Sequence, residues 1–253
     1  MRARSLLLVA FATIISGCAS TRVNTALVPA PRLERDSYDW YGRHERILKE
    51  GAEMEPEILF VGDSITHFWA GRKSIGGDDA SRCWKQYFGE YRTLNIGFGW
   101  DRIQNVLWRF DHGELNGLAP KLVVLMIGTN NTMETPNAKD NTAEEIAEGV
   151  MTVVARLHDA FPSATIVTMN MLPREAHPDG PLRNKVDAGR VAIAKAAKAE
   201  TGKWFVFIDI GEKFLLKDNT IPRSLLGDGT HPTENGYKIW AESLRPIIRK
   251  VVR

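Results

Sequence analysis

The segment 58–69, ILFVGDSITHFW, decides the fold. Its four opening apolar residues, Ile58 to Val61, are too few for a helix and show no polar alternation, as expected of a strand covered on both faces. Gly62, Asp63 and Ser64 come next, and Ile65 begins what looks like a helical turn. A strand leading through a tight turn into a helix presents a carboxylate and a hydroxyl at the strand's carboxyl end. That is the edge at which open parallel sheets bind ligands. Gly62 is expected to let the backbone turn and Asp63 to brace the turn as a structural acceptor.

Further apolar runs of this kind lie at Thr93–Ile96, Leu122–Ile127, Thr165–Met169 and Trp204–Ile208. Amphipathic stretches separate them. Ile103, Val106, Leu107 and Phe110 share one helical face, as do Ile146, Val150, Val153, Val154, Leu157 and Phe161. Thr142 and Glu145 stand in capping-box spacing ahead of the second set, and a last helix is expected from about Thr233 to Val251. Strand–helix alternation over these runs predicts an α/β protein: a three-layer α/β/α sandwich on a five-stranded parallel sheet. With 253 residues, 43% apolar and 25% charged, the chain is long enough to bury one full core.

The N-terminus differs in character. Arg2 and Arg4 precede an apolar run from Leu6 to Ile15, then Ser16, Gly17 and Cys18. This is the pattern of a secretory signal, and the run is too short to span a bilayer. The segment ISGC resembles the lipobox of bacterial lipoproteins, which implies acylation of Cys18, export, and anchoring to the cell envelope. Ala19 after the cysteine, with no Asp there, points by the same resemblance to the outer membrane. Residues 19–37, rich in polar residues and proline, read as a flexible tether, with the folded domain over 38–253. If Cys18 is acylated, Cys83 has no partner for an intrachain disulfide and is expected to be a small buried hydrophobe.

A formal net charge of +2 without a basic run excludes a nucleic-acid footprint. No Cys/His spacing suggests a metal, and no cofactor is implied. The expected partners are a small acylated substrate and, through the lipid anchor alone, a membrane; a homo-oligomer is left open, since the sequence does not reveal oligomeric state.

The residues at the strand ends carry the chemistry. Gly62-Asp63-Ser64 ends the first run, Gly97-Phe98-Gly99-Trp100-Asp101 the second and Gly128-Thr129-Asn130-Asn131 the third, while Asp228-Gly229-Thr230-His231-Pro232 precedes the last helix. Each piece alone is a common turn or cap. Together they hold a hydroxyl, an imidazole that can take its proton, a carboxylate that can orient the imidazole, and an amide that can hold an oxyanion. Asp209 is a rival for the carboxylate role, but Asp228 has the shorter link to His231. His44, His112, His158 and His177 are expected at the surface or as caps, and His67 either lines the cleft or packs in the core. A Gly-x-Ser-x-Gly elbow is absent, which argues against an α/β-hydrolase.

These blocks, in this order, resemble the SGNH (GDSL-type) hydrolase superfamily, and within it the type I platelet-activating-factor acetylhydrolase-like esterases. LNIGFGWDRIQNVLWRFDHGEL, NTAEEIAEGV and MLPRE extend the likeness from about Pro56 to Val251. The resemblance implies a flavodoxin-like fold, Ser64 as nucleophile, His231 as base and Asp228 as its orienting carboxylate. It assigns the oxyanion hole to Asn130 and the backbone N–H groups of Ser64 and position 100. The subfamily carries a glycine where this chain has Trp100. The tryptophan N–H still serves if the position does not need a positive φ, and the indole is expected to wall the substrate pocket.

Ile65 and Thr230 flank the nucleophile and base and are expected to line the acyl pocket. The implied activity is hydrolysis of short, acetyl-type O-esters through an acyl-enzyme, with an O-acetylated carbohydrate of the envelope or its surroundings as the substrate class. A lysophospholipid or ether-lipid esterase is the first alternative. A catalytically weak carbohydrate-binding protein or an O-acyltransferase is the second.

Overall fold

The computed structural model describes residues 22–70, 81–200 and 202–252. The expected signal segment and Cys18 lie outside them. Five parallel strands form one sheet in the order β2-β1-β3-β4-β5: β1 (Ile58–Gly62), β2 (Thr93–Gly97), β3 (Leu122–Met126), β4 (Thr165–Met169) and β5 (Phe205–Ile208). This is the doubly wound, flavodoxin-like order, in which the chain reverses direction beside β1. The register aligns Gly62 with Gly97 and Met126, so the first three strands end level and their loops share one rim.

Alternate residues of each buried strand serve two cores. Leu59, Val61, Leu94, Ile96, Val123 and Leu125 face a layer built from α1 (Trp40–Met54), α4 (Ile103–Asp111), α5 (Ala143–Ala160) and α6 (Pro181–Ala197). Ile58, Phe60, Leu122 and Val124 face α2 (Ser64–Trp69), α3 (Ser81–Phe88) and α7 (Glu234–Val251). Burying each such side chain contributes about 1.5–3 kcal/mol, and burial on both faces explains why the strand sequences do not alternate. Thr142 and Glu145 form the expected capping box on α5, and Thr233 caps α7. Cys83 is buried in the second core, where burial pushes its thiol up in pKa.

Gly62 meets its constraint differently from the expectation. Its φ is not positive; instead, a Cβ there would run into the Thr66 side chain and the carbonyl of Met126. The glycine is required by close packing between β1, α2 and β3 rather than by a left-handed turn.

The expected flexible tether is also revised. Residues 22–37 lie against α4 and α5 as a strap. Ala26 is fully buried, and Gly149 of α5 makes room for it, since a Cβ there would stand 3.2 Å from that of Ala26. Asn24 donates to Glu145 O (3.0 Å), Asn105 donates to Ala30 O (3.0 Å) and Pro31 O (2.8 Å), and the Ala30 N–H donates to Gln104 O (3.1 Å). The strap has no periodicity because side-chain-to-backbone bonds hold it, so composition alone makes it look like a linker.

Candidate active site

Ser64 is the first residue of α2. The Asp63 side chain caps that helix by accepting the Ile65 N–H at 2.9 Å, which bears out its structural role. On the loop before α7, Asp228 folds back over left-handed Gly229 (φ = +82°), and its Oδ1 accepts the N–H groups of Thr230 (2.9 Å) and His231 (2.7 Å). Its Oδ2 accepts His231 Nδ1–H at 2.7 Å. A carboxylate only accepts, so Nε2 is left as the acceptor, and it receives the Ser64 hydroxyl at 2.9 Å. Burial works to raise the Asp228 pKa, but the bonds from the His231 ring and backbone outweigh it and hold the group at about 2. Asp228 therefore stays ionised wherever His231 can act as a base.

Asp209 is engaged elsewhere. It accepts from Asn170 (2.7 Å), Arg190 (3.0 Å) and the Gly211 N–H (2.8 Å), and so it does not compete for His231.

The residues expected to form the oxyanion hole sit on loops stitched to one another. Gly97 allows α2 to approach, for a Cβ there would lie 2.8 Å from Thr66 Cβ. The Gly99 N–H donates to His67 Nδ1 at 3.1 Å, so His67 is buried behind the second loop and supports it. Asn130 Nδ2 donates one hydrogen to Asp101 O at 2.9 Å, leaving its second hydrogen for a ligand. Neighbouring Asn131 is structural: its Oδ1 accepts the Ile103 N–H (3.0 Å) at the start of α4, and its Nδ2 donates to Gln104 and Asn141. Among the described residues, neither the Ser64 nor the Trp100 N–H has a hydrogen-bond acceptor.

Trp100 adopts φ = +66°, the left-handed conformation for which glycine is suited. A non-glycine residue there costs about 1–2 kcal/mol. Position 100 thus keeps the backbone shape that a glycine would give, and its indole stays exposed at the rim. Thr230 is partly exposed on the base loop, whereas the Ile65 side chain is buried in the second core and its carbonyl accepts the Tyr237 hydroxyl at 2.7 Å. Ile65 can therefore border a ligand only from below.

Sequence reasoning missed the support beneath Trp100. Asp101 accepts from Trp40 Nε1 (2.7 Å) and Arg109 Nε (2.9 Å), and Arg109 also bonds Glu114. His44 Nδ1 lies 3.6 Å from Glu114 Oε1, and the Arg109 guanidinium stacks 4.1 Å over the Phe98 ring. Burial pushes Asp101 up to about 7 against the pull of Arg109. His44, expected at the surface, is buried in this network, while His112 stacks on Trp108 and His158 on Trp204. Two charged residues near the amphipathic face of α4 were the available signal, but helical periodicity marks only apolar positions.

A row of carboxylate, imidazole and hydroxyl beside free backbone N–H groups and an amide can activate an oxygen nucleophile and hold an oxyanion. The family model of the GDSL-like lipase/acylhydrolase family matches residues 60–239, more than half of the chain, and the protein belongs to that family. It is a carboxylic ester hydrolase of the SGNH/GDSL type. Platelet-activating factor acetylhydrolase IB subunit alpha1 of Homo sapiens is 30% identical over 217 residues, covering 84% of each chain. A GDSL-like lipase from Bacteroides thetaiotaomicron superposes with a TM-score of 0.63 at 21% identity, covering 83% of this chain and 98% of the other. An acetyl xylan esterase from Geobacillus stearothermophilus superposes with a TM-score of 0.56 at 20% identity, covering 78% and 94%. At such identities the two superpositions speak to the fold.

Proposed function

We propose that this esterase removes short acyl groups, acetyl foremost, from O-acylated carbohydrate by way of an acyl-enzyme on Ser64. The observation that carries this reading is the continuous row from Asp228 through His231 to Ser64, with bonds of 2.7 and 2.9 Å. His231 takes the hydroxyl proton as Ser64 Oγ attacks the ester carbonyl, and Asp228 stabilises the imidazolium. The developing oxyanion is held by the Ser64 and Trp100 N–H groups and by the unused hydrogen of Asn130. Collapse passes the proton from His231 to the leaving alcohol; a water, deprotonated by the same histidine, then releases the acid. The neutral imidazole is the form that can accept the proton, and the bond from Nδ1 to Asp228 leaves Nε2 free to do so.

The carbohydrate preference rests on the exposed indole of Trp100, a flat apolar face on the loop that follows β2, on which a sugar ring can stack. Purified protein from Ala19 onward, assayed with p-nitrophenyl acetate, butyrate and octanoate, tests the acyl length. Acetate is expected to be the best substrate, and an octanoate preference would favour the lipid-esterase reading. In Trp100→Gly, KM for an O-acetylated oligosaccharide is expected to rise about tenfold, some 1.4 kcal/mol, while p-nitrophenyl acetate turnover is kept. An unchanged KM would remove the indole from recognition.

The same reading places the protein on the cell envelope as a lipoprotein acylated at Cys18. Arg22, at the head of the strap, donates to Asp140 O at 2.7 Å, just before α5 and thus on the catalytic side of the sheet. Positions 18 and 22 are four residues apart, a span of at most roughly 14 Å. An anchor so short would hold the catalytic rim close to the membrane, and release of the protein by a Cys18→Ala substitution tests it.

A further inference from the structure

Arg174 belongs to MLPRE, the stretch that leaves β4 on the catalytic edge. The backbone around it is held with unusual care. Glu175 adopts φ = +63°, its N–H donates to Gly229 O at 2.7 Å, and its carboxylate accepts the N–H groups of Leu182 and Arg183 at 2.9 Å each. Arg183 is 2% exposed, and its guanidinium donates to the carbonyls of Glu175 (2.9 Å), Arg174 (3.3 Å) and Asn219 (2.8 Å). A left-handed glutamate, a buried arginine and the base loop thus fix where Arg174 leaves the backbone.

Among the described residues, nothing uses its own guanidinium. Arg43, Arg102, Arg109, Arg183 and Arg190 all donate to carbonyls or carboxylates in the described structure. Arg174 makes no side-chain hydrogen bond or ion pair among the described residues, and its Nη1 is both shielded from solvent and without a partner. Buried donors are almost always satisfied, so an orphan on a rigid loop points to a missing acceptor. Asp63 and Asp228 are near enough to attract the cation but do not bond it, and Glu175 is occupied at α6.

The location also says which part of a substrate Arg174 would meet. The leaving oxygen takes its proton from His231, so the alcohol half lies on the His231 side of Ser64. Arg174 is on that side, since its loop is bonded to the base loop through Glu175 and Gly229. We propose that Arg174 recognises an anionic group, a carboxylate or a phosphate, on the alcohol half of the ester. The proposal rests on the serine-esterase reading above. A planar guanidinium suits such an oxyanion, which it binds with two parallel hydrogen bonds.

The test reads binding rather than turnover, so that it stands apart from the catalytic assignment. Ser64→Ala protein is titrated by calorimetry with an O-acetylated methyl glucuronoside, with the uncharged methyl ester of that sugar acid, and with acetylglycerol phosphate. At least one anion is expected to bind about tenfold more tightly than the neutral ester, and the tighter of the two anions identifies the source. Adding Arg174→Gln is expected to abolish the preference, and Arg174→Lys to keep part of it. Absence of any preference in the protein that retains Arg174, or a preference that survives Arg174→Gln, overturns the proposal. Should Arg174→Gln fail to fold, the arginine protein alone still decides, because equal affinity for acid and ester is sufficient to refute it. Failure of the esterase reading would appear separately, as a wild-type protein that hydrolyses no ester.

Discussion

Asn130 Nδ2 donates to the carbonyl oxygen of Asp101 at 2.9 Å, so the amide of one strand-end loop is aimed by the backbone of another. One hydrogen is spent on orientation, and in the proposed mechanism the other meets charge that develops during reaction. Asn130→Ala is therefore expected to lower kcat on p-nitrophenyl acetate about 100- to 1,000-fold with little change in KM. A loss under about fivefold would mean that the amide serves only the loop.

The Asp101 carboxylate is tied to Arg109, and Arg109 to Glu114, all three buried. Removing the central cation strands two carboxylates in the core. Arg109→Met should cost about 3–5 kcal/mol in urea unfolding. A cost below about 1 kcal/mol would contradict this account of how the second loop is supported.

Asp63 gives a pH signature. Burial raises its pKa from 3.8 to about 6, more than the Ile65 N–H and the nearby His231 and Arg174 lower it. Between those values the folded chain holds a proton that the unfolded chain has lost. Its contribution to stability is therefore fullest at low pH and is lost as pH rises through about 6. Asp63→Asn keeps an acceptor for the Ile65 N–H but cannot titrate. The Tm of wild type relative to Asp63→Asn should fall from about pH 4 to about pH 7. Asp101 titrates in both proteins and cancels. A flat difference would show that Asp63 is not buried as a titrating acid.

The strap predicts a length dependence. A chain beginning at Tyr38 loses Ala26 from the core and both acceptors of Asn105 Nδ2. Unsatisfied buried donors and lost burial together should cost about 2–4 kcal/mol relative to a chain beginning at Ala19. Equal thermal stability of the two proteins would restore the flexible-tether description.

The parts of this protein that were legible in its sequence are those in which local pattern and structure coincide. Runs such as Leu122–Met126 declare a doubly covered strand, Thr142 and Glu145 declare a helix start, and the Asp228–His231 spacing contains its own hydrogen bond. The hidden parts depend on partners distant in the chain. The His44 contact with Glu114 and the Trp40 bond to Asp101 each span about sixty or more residues, and no periodicity encodes them. Residues 22–37 lacked an apolar pattern because Asn105 and Asn24 supply the adhesion. Trp100 was visible as a departure from glycine, but only the backbone shows that the left-handed shape was retained.

The most direct test of the central claim is to mix wild-type protein with p-nitrophenyl acetate, quench in acid within the first turnover and locate the acyl group by peptide mass spectrometry. One acetyl group is expected, carried on Ser64 and absent from Ser64→Ala, which should also lose steady-state hydrolysis. Full turnover in Ser64→Ala, or acetyl found only on another residue, would contradict it.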